Sequence, residues 1–181
     1  MRASLILIAL ALGTASPQAH ETAPDAQSST ERTSEEAKQI PTAADFAKQA
    51  AQANLYEIQA AEIALQRAKQ PGVRDLAQGI LADHKKAQED LIEAAQGGNE
   101  VIDDKLEAAQ SKQLQALREA GDGEFDALYL SDQLRSHQAA MEFLSAYAEN
   151  GEAGPLKTYA QAAFPTVRMH LVKVKAHSNS D

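Results

Sequence analysis

Four stretches of this chain carry small apolar residues at alternating steps of three and four, and glycine or proline separates them. The first stripe reads Phe46, Ala50, Ala53, Glu57, Ala60, Ala64. The second reads Val73, Ala77, Ile80, His84, Ala87, Leu91. The third reads Leu130, Leu134, His137, Met141, Leu144, Ala148, and the fourth Leu156, Ala160, Ala163, Val167, His170, Val174. A repeat close to 3.6 residues is the buried face of an amphipathic helix, so four such stripes demand a helical bundle. Composition agrees: alanine, leucine, glutamate, glutamine and lysine dominate, and aromatic residues make up only 4%, a bias toward helix over strand.

The breaks set the topology. Pro41-Thr42-Ala43-Ala44-Asp45 reads as a helix start with Thr42 as N-cap, and that helix should run to about Lys69. Pro71-Gly72 reads as the break before a second helix over 73–96, which Gly97-Gly98 should stop. Residues 103–120 are helical in composition but polar. A third bundle helix is expected over 124–149, and a fourth over 155–177 that starts on Pro155, a favoured first helical residue. Short links join the first pair and the last pair, so each pair is a hairpin. The long middle segment can cross the whole bundle. The expectation is an all-α, ferritin-like four-helix bundle of two hairpins with an additional crossover helix, covering 42–177, with 178–181 as a frayed end.

The N-terminus has a different character. Arg2, the apolar run Leu5–Leu12 and the small residues Gly13–Ser16 have the layout of a secretory signal peptide over residues 1–19. The run is short of the roughly 20 residues that a membrane span needs, and no later segment is apolar enough to span. Residues 20–41 are acidic and polar, as in a disordered tether. The expected destination is the cell envelope, the periplasm in particular.

Composition also excludes. Without cysteine there is no disulfide, thiolate nucleophile, iron–sulfur cluster or cysteine zinc site. The net charge of -9 and the lack of a basic stripe argue against a nucleic-acid partner and favour cations over anions as ligands. Nothing resembles a nucleophile–base pair, a phosphate loop or a dinucleotide fingerprint, so no catalytic residue is assigned and an enzyme is not the expectation.

Each stripe holds one ionisable residue: Glu57, His84, His137 and His170. The first three fall near the middle of their helices, and His170 lies about one turn beyond the middle of its own. Mid-helix positions meet at the bundle midplane whichever way the helices run, so the four can form one layer. Pro165 inside the fourth helix should kink it and turn His170 inward.

Several stretches resemble the DUF4142 family, exported bacterial proteins with a ferritin-like fold that are sometimes described as predicted outer membrane proteins. They are Asn54-Leu55-Tyr56-Glu57-Ile58, Asp83-His84, Phe125-Asp126-Ala127-Leu128-Tyr129, His137 and Phe164-Pro165-Thr166-Val167-Arg168-Met169-His170. The resemblance spans 42–177 and implies fold and export. It implies no reaction.

One carboxylate and three imidazoles suit a single divalent transition metal such as zinc, iron or copper, and bundle cores are common places for such sites. Asp83, Asp126, Tyr129 and Asp132 are candidate outer partners that would orient the rings. A di-iron centre is not expected. That pattern needs Glu three residues before His on two helices, and Leu81, Leu134 and Val167 hold those positions. The other reading of the same four residues is a buried polar layer that only fixes helix register.

Overall fold

A computed structural model describes residues 40–102 and 105–179. The signal peptide and nearly all of the tether expected over 1–41 lie outside these residues. Ile40, at the end of the expected tether, packs against the core around Phe46. Among the described residues there are five helices and no strand: α1 Ala43–Arg67, α2 Pro71–Gly97, α3 Ala108–Glu119, α4 Phe125–Asn150 and α5 Pro155–Ser178. The architecture is the all-α, ferritin-like bundle of two hairpins, α1/α2 and α4/α5, with α3 on the crossover.

Local chemistry explains the boundaries. Thr42 accepts the backbone N–H of Asp45 at 3.2 Å and donates its hydroxyl to the Asp45 carboxylate at 2.8 Å, closing the N-terminus of α1. The first break falls at Ala68–Gln70, not at Pro71-Gly72. Pro71 opens α2, where its missing N–H costs nothing. Asp126 at the start of α4 accepts the backbone N–H groups of Lys69 (3.1 and 3.2 Å) and Gln70 (2.8 Å), so the other hairpin caps this turn. The crossover helix begins five residues later than its composition suggests, on a capping box formed by Glu107 and Gln110. Its buried Leu114 and Leu117 join the core. Arg67 of α1 donates to the carbonyls of Leu117 (2.8 Å) and Arg118 (2.6 Å) and ties down the end of α3. Gly151 ends α4 against Tyr147, where a Cβ would lie 2.6 Å from the Tyr147 carbonyl oxygen. Helix α5 runs unbroken through Pro165.

The neighbouring bundle helices run antiparallel, whereas α3 runs parallel to α1, from Gln110 beside Gln52 to Leu117 beside Arg67. The start of α4 meets the end of α1 through Asp126, Gly97 at the end of α2 meets Pro155 at the start of α5, and Gly72 meets His177 at their opposite ends. The apolar core is divided. One cluster gathers Ala60, Ala64, Ile80, Leu114, Leu117, Phe125, Tyr129 and Leu130, and the other gathers Phe46, Ala50, Leu91, Leu144, Tyr147, Leu156 and Val167. Glu57, His84, His137 and His170 fall between these clusters along their helices and are all buried.

Candidate metal centre

The depth of the histidines follows from helix register. His84 lies thirteen residues before Gly97, and His170 fifteen residues after Pro155. Since Gly97 and Pro155 touch, a rise of about 1.5 Å per residue puts both histidines roughly 20 Å from that end. The one-turn offset of His170 within α5 thus does not separate it from the layer. Ring centroids of His84, His137 and His170 are 5.3 to 5.6 Å apart pairwise. Relative exposures are 6%, 1% and 1%. One nitrogen from each ring can be chosen so that all three lie within 4.8 Å of one another.

The outer hydrogen bonds fix which nitrogens those are. His137 Nδ1 is 3.1 Å from the Gln133 carbonyl oxygen, which only accepts, so Nδ1 carries the proton. His170 Nε2 is 2.8 Å from an Asp83 carboxylate oxygen and donates to it. His84 Nδ1 is 3.0 Å from Asn54 Oδ1, while Asn54 Nδ2 faces the Tyr159 hydroxyl at 3.1 Å. The Asn54 oxygen is therefore the acceptor for His84. In the neutral rings this leaves three lone pairs: Nε2 of His84, Nε2 of His137 and Nδ1 of His170. The last two are 3.3 Å apart, about the spacing of two nitrogens that share one ion at 2.0–2.1 Å with a tetrahedral angle. Nε2 of His84 is buried with no hydrogen-bond partner. Burial, and then the neighbouring imidazoles, hold the His84 pKa well below its usual 6.5. Burial also lowers that of His170, against the opposing pull of Asp83. Both shifts favour the neutral form of His84 and His170, the form that binds metal.

Glu57 does not join the three nitrogens. Its carboxylate accepts Gln133 Nε2 at 2.8 Å, and Oε1 lies 3.9 Å from His137 Nδ1, the nitrogen that faces away from the other rings. Asp83, the residue before His84, reaches across to α5 and orients His170. Asp132 is buried, accepts the Tyr56 hydroxyl and pairs with Arg135 at 3.1 Å. The Tyr129 hydroxyl is buried and unpartnered, and burial plus the charges of Glu57 and Asp132 push its pKa up. Asp126 sits eleven residues before His137, about 16 Å down the helix, where it caps the Lys69–Gln70 turn. Asn54, Gln133, Tyr56 and Tyr159 are polar members of the layer that the stripes alone do not reveal. Asn54 and Gln133 had a usable signal, because they precede Glu57 and His137 by three and four residues on the same faces.

Two antiparallel helical hairpins with a polar, histidine-bearing layer at mid-height define a ferritin-like helical protein. The chain belongs to the DUF4142 family, described as a domain of unknown function, which matches residues 24–176. Its fold is similar to a crystal structure of a DUF305 fragment from Deinococcus radiodurans, with a TM-score of 0.66 and 15% identity over 75% of this chain and 94% of that one. At that identity the likeness concerns the fold alone. No curated protein matches the sequence.

Proposed function

We propose that this chain is an exported cell-envelope protein that binds one divalent transition-metal ion, zinc, iron or copper, through His84, His137 and His170. The observation that carries the reading is the convergence of three lone pairs whose opposite nitrogens are already committed to Gln133, Asp83 and Asn54. Such outer partners fix ring orientation and tautomer at metal sites. Glu57 and Asp83 contribute negative charge close to the rings and offset the charge of the ion. Export rests on the leader-like sequence of residues 1–19. No helix among the described residues is long and apolar enough to cross a membrane.

A second reading keeps the layer as a metal-free register device. It draws on the 3.3 Å contact of His137 with His170. A protonated His170, paired with Asp83, would donate Nδ1–H to His137. Elemental analysis of protein purified without an affinity tag, followed by reconstitution of the stripped protein, decides between them. Near one equivalent of metal is expected, lost in His84→Ala and in His137→Ala while the helical circular dichroism is retained. Failure of the stripped wild-type protein to take up zinc, copper or cobalt would overturn the metal reading and leave the register device.

A further inference from the structure

A cleft of about 1160 Å³ runs from the polar layer between the two hairpins toward α5's first turn. Ligand pockets more often hold 300–1,000 Å³. Short side chains on all four bundle helices, among them Ala53, Ala87, Ala140 and Ala163, leave room for the cleft. His84 and His137 line it, whereas His170 does not and lines a separate small cavity beside the first half of α2. An ion held by the three nitrogens would thus be backed by His170 and approached from the cleft. His84 is 6% exposed, and its Nε2 is buried without a partner. Three protein ligands and one free position is the arrangement of a site that accepts an exogenous ligand, while structural sites are closed by a fourth side chain. Glu57, the one carboxylate that could have closed it from α1, also lines the cleft but is bonded to Gln133.

We propose that the cleft binds an organic acid with an unbranched alkyl body, its carboxylate taking the free position on the ion. The proposal rests on the metal reading above. The head group follows from coordination, because the three imidazoles leave one position on the ion free, while Glu57 and Asp83, which also line the cleft, are bonded to Gln133 and His170. The body follows from the walls, which are apolar between His137 and Leu144 on α4 and between Tyr159 and Val167 on α5. The mouth is marked by exposed Lys86 and Glu93.

Cobalt(II) tests this, since its visible spectrum reports coordination directly. Cobalt-loaded protein is titrated with straight-chain carboxylates from acetate to decanoate. Each should shift the cobalt band, and affinity should rise about fourfold per added methylene, the ratio that corresponds to ~0.8 kcal/mol per buried CH₂. Ala140→Leu and Ala87→Leu should still take up cobalt and respond to acetate, but lose the gain with chain length. A loaded protein whose spectrum ignores carboxylates, or binds them all alike, would overturn the cleft proposal and leave the metal reading standing. Absence of cobalt uptake would overturn both.

Discussion

Lowering the pH from 7.5 to 5.5 should destabilise the metal-free protein through two particular side chains. His84 and His170 both have folded-state pKa values below 6.5, mainly because burial penalises the imidazolium. In the unfolded chain each titrates near 6.5. Below that pH the unfolded state therefore binds more protons than the folded one, and stability falls as pH falls. It is fully present above 6.5 and drains away toward the folded pKa values. A group that stays neutral in the fold across this interval costs about 1.4 kcal/mol between pH 7.5 and 5.5. His84, the more buried ring and the one without a carboxylate partner, should approach that figure. His170 should fall short of it, because Asp83 favours its charged form. The total is then about 1.4 to 2.7 kcal/mol. Urea unfolding followed at 222 nm, with a chelator present, measures it directly. His84→Gln should remove the larger share of the pH dependence whatever it does to absolute stability. A wild-type stability that is flat or rises between pH 7.5 and 5.5 would refute the argument, since buried neutral imidazoles cannot produce it.

Two further perturbations probe the surroundings of the layer. Asp83→Asn removes the charge that orients His170 but leaves the packing in place, and should weaken zinc or cobalt affinity about 10- to 100-fold by equilibrium dialysis, with little change in thermal midpoint. Gly151→Ala forces a methyl against the Tyr147 carbonyl and ring, and should cost about 1–3 kcal/mol in urea unfolding while metal affinity is unchanged.

The periodic pattern carried most of the fold. Every residue on the four stripes is buried or half-buried, because a 3.6-residue repeat says which face turns inward whatever the neighbours are. It says nothing about how far a side chain reaches or toward which partner. Glu57 shows the limit: its face was legible, but its bond to Gln133 depends on the relative position of α1 and α4. Asp126 shows the opposite case. Its distance from His137 can be counted along one helix, and at about 16 Å it belongs to the bundle end. Asn54 falls within one of the stretches that resemble the family, and Gln133 within none. Neutral amides are not the usual metal ligands, yet Asn54 sets the tautomer of His84 and Gln133 holds Glu57.

The cost of this layer argues for a ligand in its own right. Buried polar atoms in native proteins are nearly always paired, and an orphan costs about 1–3 kcal/mol. Here Nε2 of His84, the Tyr129 hydroxyl and Oε1 of Gln133 are all buried without partners, between two apolar clusters. A device for helix register needs only one satisfied polar pair. Leucine or methionine in place of His84 would serve packing at least as well and remove one orphan. The chain instead spends three histidines and then commits a carbonyl, a carboxylate and an amide to hold their protons on the outer nitrogens. Those outer bonds turn the lone pairs of His137 and His170 toward each other at 3.3 Å, an arrangement that repels unless something positive lies between them. A proton can relieve one such contact, but burial lowers the pKa of His170 and leaves His84 unanswered. A single divalent ion would satisfy all three nitrogens at once.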